Sequence, residues 1–115
     1  MDTKYKKTKG KEGEDIVTTY YVHQWYTLIE KNYTIPWWEL DLILQKDNIL
    51  TFVEVKVVDH IDELHDYVTL KKLGHLRHTI EYYLLKHPTD KEYVLDVVFV
   101  KNGSIQDIYT NVTNM

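Results

Sequence analysis

Three acids and one lysine stand at alternate positions of two adjacent segments: Glu39 and Asp41 in "WELDLILQ", Glu54 and Lys56 in "FVEVK". Their neighbours suit buried strands, where an ionised group is costly unless something compensates it. Asp47-Asn48, between the segments, favours a tight two-residue turn. Such a turn sets Lys46 against Ile49, Asp41 against Glu54 and Glu39 against Lys56. Side chains alternate across a strand, so all four charged groups share one face. Directly opposed Cβ atoms lie about 4.5–5.5 Å apart, and two carboxylates that close repel until one takes a proton or a cation intervenes. Hard divalent ions such as Mg2+ or Mn2+ prefer oxygen ligands and keep several waters. Asp41, Glu54 and the backbone carbonyl of Val55 would supply such ligands. A metal there lowers the pKa of bound water and polarises a phosphoryl oxygen. Lys56 beside it would hold the attacking water or stabilise charge developing on phosphate. The plainer alternative is a cross-strand ion-pair patch, with Glu39 against Lys56 and Asp41 partly exposed.

The elements that must position these groups follow from periodicity. Leu40, Leu42, Leu44, Val53, Val55 and Val57 take the other face of the hairpin, an apolar surface suited to a helix. Residues 12–31 read as a first helix, with Ile16, Val17, Tyr20, Tyr21, Leu28 and Ile29 falling mostly on one side. "NYTIP" ends it and supplies a short strand, broken at Pro36. Trp38 to Gln45 and Ile49 to Val58 form the hairpin, and "DHIDELHD" is a polar loop or helix start. Val68 to His87 is a second helix, with Leu73, Leu76, Ile80, Tyr83 and Leu84 at helical spacing and Pro88 just past its end. Tyr93 to Val100 is a strongly apolar strand, and "NGS" turns into a weaker strand over Ile105 to Tyr109. This order predicts helices packed on a sheet, α/β bordering on α+β.

Composition bounds the rest. The chain has 115 residues, 43% of them hydrophobic, enough for one domain with a real core. With no cysteine, disulfides and thiolate metal sites are excluded. No apolar run approaches the roughly 20 residues of a membrane span, and the lysine-rich start leads into "EGEDIV" rather than a signal-peptide core. The expected setting is cytoplasmic, away from membranes. The net charge of −4 is unevenly spread. Residues 1–11 hold five lysines and one acid, while residues 12–115 hold 9 basic and 17 acidic residues. The expected organisation is therefore a basic flexible arm over 1–11 and a single domain over 12–115. The arm, with Lys9 and Lys11 at its end, either grips phosphate or serves as a solubilising tail.

Several motifs together carry a family resemblance. "ELDLI" followed across a short hairpin by "FVEVK" looks like the PD-(D/E)xK nuclease signature. Over residues 9–112 the chain resembles the YraN family of small endonuclease-like proteins, related in fold to Holliday-junction resolvases. "KGKEGED" matches the family's Gly-x-x-Gly-Glu element, which puts the family's glutamate at Glu14. "YVTLKKL" matches a Val-Thr-x-x-Lys element, with the lysine at Lys72. "LDVVFV" matches the late Asp-Val-Val strand at Asp96. Three departures stand out. Trp38 replaces the glycine before Glu39, Val57-Val58 replace Thr-Arg, and the arginine before the Asp96 strand is missing.

The resemblance implies a restriction-endonuclease-like core, a central mixed sheet flanked by two main helices. The first helix would present Glu14 toward the acidic patch. It also implies Mg2+- or Mn2+-dependent hydrolysis of phosphodiester bonds in DNA, including branched or structured forms. The roles carried over are Asp41 and Glu54 as metal ligands, Lys56 as catalytic lysine, Glu14 as a further ligand or water-orienting acid, Glu39 as a supporting acid, and Lys72 as a phosphate contact. Trp38 would narrow the site or stack on a base. The competing class is a non-catalytic nucleic-acid- or protein-binding module on the same fold, and a homodimer is among the assemblies this reading admits. Elsewhere, His75 and His78 share a helix face and, with His65 or Asp66, offer an incomplete zinc set. The aromatics Trp25, Tyr26, Tyr33, Trp37 and Trp38 serve either base stacking or the core.

Overall fold

The computed structural model describes residues 3–58 and 69–112, with side chains from Gly10 onward in the first helix. The chain runs α1 (Thr3–His23), β1 (Thr27–Ile35), β2 (Trp38–Lys46), β3 (Ile49–Val57), α2 (Leu70–Lys86), β4 (Glu92–Lys101) and β5 (Ser104–Tyr109). The five strands form one sheet in the order β1-β2-β3-β4-β5. Every neighbouring pair is antiparallel except β3 and β4, which are parallel. A parallel pair needs a long crossover, and here the crossover contains α2. The loop expected over 59–66 lies outside the described residues. The result is a mixed α/β fold compatible with a restriction-endonuclease-like core. Among the described residues no helix is long and apolar enough to cross a membrane.

Each helix covers one face of the sheet. Val17 and Tyr21 of α1 pack on Leu42, Leu44, Val53, Val98 and Val100. Leu76, Ile80 and Tyr83 of α2 pack on Ile43, Phe52, Leu95, Val97 and Phe99. β3 and β4 are buried on both faces, which explains their nearly continuous apolar runs. Fully burying each of these large side chains contributes about 1.5–3 kcal/mol. The predicted apolar face of the hairpin is therefore corrected at one position. Leu42, Leu44, Val53, Val55 and Val57 lie on the α1 side, but Leu40 joins the α2-side cluster. The phase changes where the β2–β3 ladder stops at Leu42↔Val53.

The first helix also departs from expectation. It begins at Thr3, so the backbone of residues 3–11 is helical, and it ends at His23 rather than near Lys31. Trp25 adopts the left-handed region at φ 72°. The Tyr26 N–H reaches back to the Tyr21 carbonyl at 3.1 Å and the Trp25 N–H to Val22 at 3.0 Å, a helix-ending pattern that normally uses glycine. No Gly or Pro marked this stop. Leu28 and Ile29, taken as helix, belong to β1, whose Thr- and Ile-rich sequence suits a pleated strand. α2 matches its reading closely, with Thr69 as N-cap accepting from the Lys72 N–H at 3.2 Å.

Candidate functional site

The β2–β3 turn forms as predicted. Asp47 takes φ 55°, and Lys46↔Ile49 through Leu42↔Val53 keep the register that a two-residue loop dictates. Beyond Leu42 the two strands exchange side-chain contacts instead of ladder bonds. Asp41 Oδ2 accepts from the Val55 N–H at 2.8 Å, and the Asp41 backbone N–H lies against the Glu54 carboxylate. The two acids thus bridge the parting strands, each held by a backbone N–H of the opposite strand.

α1 completes the cluster. Gly13 lies so close to the sheet that an added Cβ would sit 2.6 Å from a Val57 methyl carbon. Only glycine permits that approach, and it brings the next residue, Glu14, over the edge of β2. Oxygens of Glu14, Glu39 and Asp41 all lie within 4.8 Å of one another. β1 supports the cluster from the far side. Asn32, in the left-handed region at φ 54°, stands between the Lys31↔Leu42 and Tyr33↔Leu40 pairs, level with Asp41. Its side chain hydrogen-bonds Glu14. Next to it, Lys31 Nζ holds Asp15 at 2.7 Å. Asn32 and Gly13 are site-building residues that neither strand pattern nor helix periodicity marks. The available signals were asparagine's tolerance of positive φ and the Gly-Glu pair itself.

The electrostatics are those of crowded carboxylates. Burial pushes the Asp41 carboxyl up to about 7, against the bond from Val55, with Glu14 and Glu39 adding to the rise. Glu54, only 5% exposed, is driven well above the usual carboxylate range by burial first and Asp41 second. Its Oε1 is buried and finds no hydrogen-bond partner among the described residues. An orphaned buried carboxylate oxygen is expensive, and the one donor to this carboxyl is the Asp41 backbone N–H. Burial also raises Glu14, partly offset by Asn32. Oxygen-rich and partly buried, the Glu14–Glu39–Asp41 group fits a hard divalent cation, with Glu54 outside that group but close to Asp41.

The other predicted positions divide. Lys56 is half-buried on β3, two residues beyond Glu54 and level with Phe99 of β4. Glu39 does not pair with Lys56 across the ladder. It stands against Thr34 of β1 and turns its carboxylate into the acid cluster, because β2 and β3 have already separated. Trp38 is half-buried and stacks on His75, ring centroids 5.6 Å apart and planes at 4°, so that face is taken by an imidazole. Lys72 is in the first turn of α2, Lys11 is exposed on α1, and the Lys9 side chain is outside the described set, as are His65 and Asp66. His75 and His78 gather no third ligand into a metal-sized group among the described residues. Asp96 is buried on the α1 side of the sheet, taking bonds from Tyr21 Oη at 2.7 Å and the Asn111 N–H at 3.0 Å.

The comparisons bear on the family part of the resemblance drawn from the motifs and assign no nuclease activity. The profile of the uncharacterised protein family UPF0102 matches residues 13–100. A UPF0102 protein of Clostridium perfringens is 38% identical over 52 residues, 45% of this chain and 43% of the relative. One from Corynebacterium efficiens is 44% identical over 51 residues, 44% of this chain and 42% of the relative. One from Flavobacterium psychrophilum is 44% identical over 46 residues, 40% and 39% respectively. The matched stretch spans less than half the length of each of these relatives. The profile covers most of the chain, including α1 from Gly13, the acid-bearing hairpin and β4 up to Val100, and the chain belongs to the UPF0102 family.

Proposed function

We propose that the chain is a metal-dependent endonuclease that hydrolyses phosphodiester bonds of DNA, as the PD-(D/E)xK resemblance implies. The observation that carries this reading is the orphaned Glu54 Oε1, buried against Asp41 and beside the Glu14–Glu39–Asp41 cluster. Asp41 and Glu54, with the Val55 carbonyl, would hold Mg2+ or Mn2+, and Glu14 would add a ligand or orient water. When bound, the ion supplies a nucleophilic water at neutral pH and polarises the phosphoryl oxygen. Lys56, two residues along β3, holds that water or stabilises charge building on the phosphate. Glu39 adds negative charge at the rim, and Asn32 fixes Glu14. Lys72, Lys9 and Lys11 are candidate phosphate contacts.

The second reading, a binding module without turnover, draws on Trp38, which fills the position of the family's glycine, and on the absent cations after Lys56. Labelled DNA in single-stranded, duplex and junction form, incubated with Mn2+, separates the two. The nuclease reading expects cleavage by the wild type and loss of it in Asp41→Asn and Glu54→Gln with folding retained. A wild type that binds one of these forms and cuts none leaves the binding module.

A further inference from the structure

Where Trp37 meets α2 is a groove of about 370 Å3 lined by Trp37, His75, His78, Glu81, Tyr82 and Leu85. Its volume lies in the range that takes a small planar ligand and is far from one that takes a duplex. Trp37 is 49% exposed and meets Tyr82 edge to face at 5.7 Å. Lys86 Nζ lies 5.6 Å from the Tyr82 ring centroid. His75 forms one wall, fixed by its stack on Trp38. The surface is built: two rings are held in place by other rings, and a third projects into solvent.

The chain links the groove to the acids through β2. Trp37 and Trp38 immediately precede Glu39, and at about 3.3 Å per residue Trp38 is roughly 10 Å from Asp41 along β2. The charge also suits a nucleic acid. α2 carries Lys71, Lys72, Arg77 and Lys86 against the single acid Glu81, in a chain whose net charge is −4. Exposed aromatic faces beside a cationic element are how proteins hold unpaired bases.

We infer that this groove receives an unpaired nucleobase of the DNA strand whose phosphate lies at the acid cluster, so that the substrate is single-stranded or locally unpaired DNA. This rests on the nuclease reading for the position of the phosphate. It does not rest on it for the groove itself. A base stacked on Trp37 would set the strand's register, and a fully paired duplex has no base free to enter.

The test is anisotropy of a fluorescein-labelled oligothymidylate and of a blunt hairpin duplex on the full chain, with Ca2+ as an oxygen-seeking cation. The wild type should prefer the single strand. Trp37→Ala should weaken that binding about tenfold, the worth of one base stack, and leave duplex binding unchanged. Trp37→Phe, which keeps a ring, should retain most of the affinity. Equal loss on both DNA forms, no loss, or no binding of the oligothymidylate overturns the groove. So does an effect of Trp37→Ala that tracks self-association in sedimentation, which would give the groove to a second copy. Mn2+ cleavage is read separately on the same proteins. Cutting that ignores Trp37→Ala keeps the nuclease and loses the groove, while Trp37-dependent binding without cutting does the reverse.

Discussion

Two buried carboxylate sites lie in the middle of this sheet, and they are built in opposite ways. Asp96 on β4 is 4% exposed and its pKa is raised by burial, yet a tyrosine hydroxyl and a backbone amide both donate to it. Glu54 on β3, one level further along in register, is as deeply buried. Its neighbours are Asp41, Glu39 and Glu14, and one of its oxygens has no partner among the described residues. A buried acid answered by donors ties elements together: Asp96 fixes α1 to the chain beyond β5. A buried acid surrounded by acids is unfavourable until a cation arrives. Function is read from the second kind, because the fold tolerates a local cost that single backbone donors to Glu54 and Asp41 relieve only in part.

The sharpest way to break this comparison is turnover. Asp41→Asn should lose Mn2+-dependent cleavage by at least about a hundredfold, the scale on which single electrostatic groups at an active site act. Tyr21→Phe, which touches only the Asp96 site, should leave cleavage per folded molecule near wild type. Equal losses in initial-rate assays would mean that the two sites are one machine.

Stability should show the reverse ranking. In EDTA, Tyr21→Phe deprives Asp96 of its hydroxyl donor and should cost about 1–3 kcal/mol in urea unfolding. Asp41→Asn should cost nothing above neutral pH and should raise the midpoint, since an amide oxygen can still accept from Val55 while the charge conflict disappears. A destabilised Asp41→Asn would show that the cluster is held together by its charges.

A smaller effect lies in the pH dependence. Asp41 titrates from 3.8 unfolded to about 7 folded, so between those values the folded state binds more protons than the unfolded state. Stability of the metal-free protein should therefore fall as pH rises from about 4 to 7. Glu54, raised in the same direction, reinforces the slope. Mn2+ competes with those protons, so its stabilisation should grow across the same window. Melting curves in EDTA and in Mn2+ check both, and Asp41→Asn should flatten both. A melting temperature that does not move over this window in EDTA would place Asp41 in contact with solvent.

Much of the site could be read directly. Alternation in β2 and β3 located Asp41, Glu54 and Lys56 on strands, and Asp47-Asn48 fixed the hairpin register that the structure shows. The expected Glu39–Lys56 pairing failed because that register was extended past the point where β2 and β3 part. A turn sets the register of a ladder but not its length. The first helix was drawn too far for a related reason. Its stop depends on Trp25 entering the left-handed region, a conformation that a tryptophan does not advertise. Asn32 went unnoticed because its role requires positive φ inside a strand and a helix above it.

By itself, the sequence determined what two local rules control. Side-chain alternation and turn chemistry set the strands and their register, and helical spacing set α2. The motif run also pointed to the family. The motif run pointed Glu14 toward the patch, and the tertiary structure decided how the acids meet. Glu14 is far from Asp41 along the chain and reaches it because Gly13 lets α1 settle onto Val57. Glu39 joins them because β2 diverges from β3, and Trp38 is taken by His75 because α2 crosses beneath it. Local preferences act between near neighbours, whereas the candidate site exists where three elements converge, and that convergence is set by packing over the whole core.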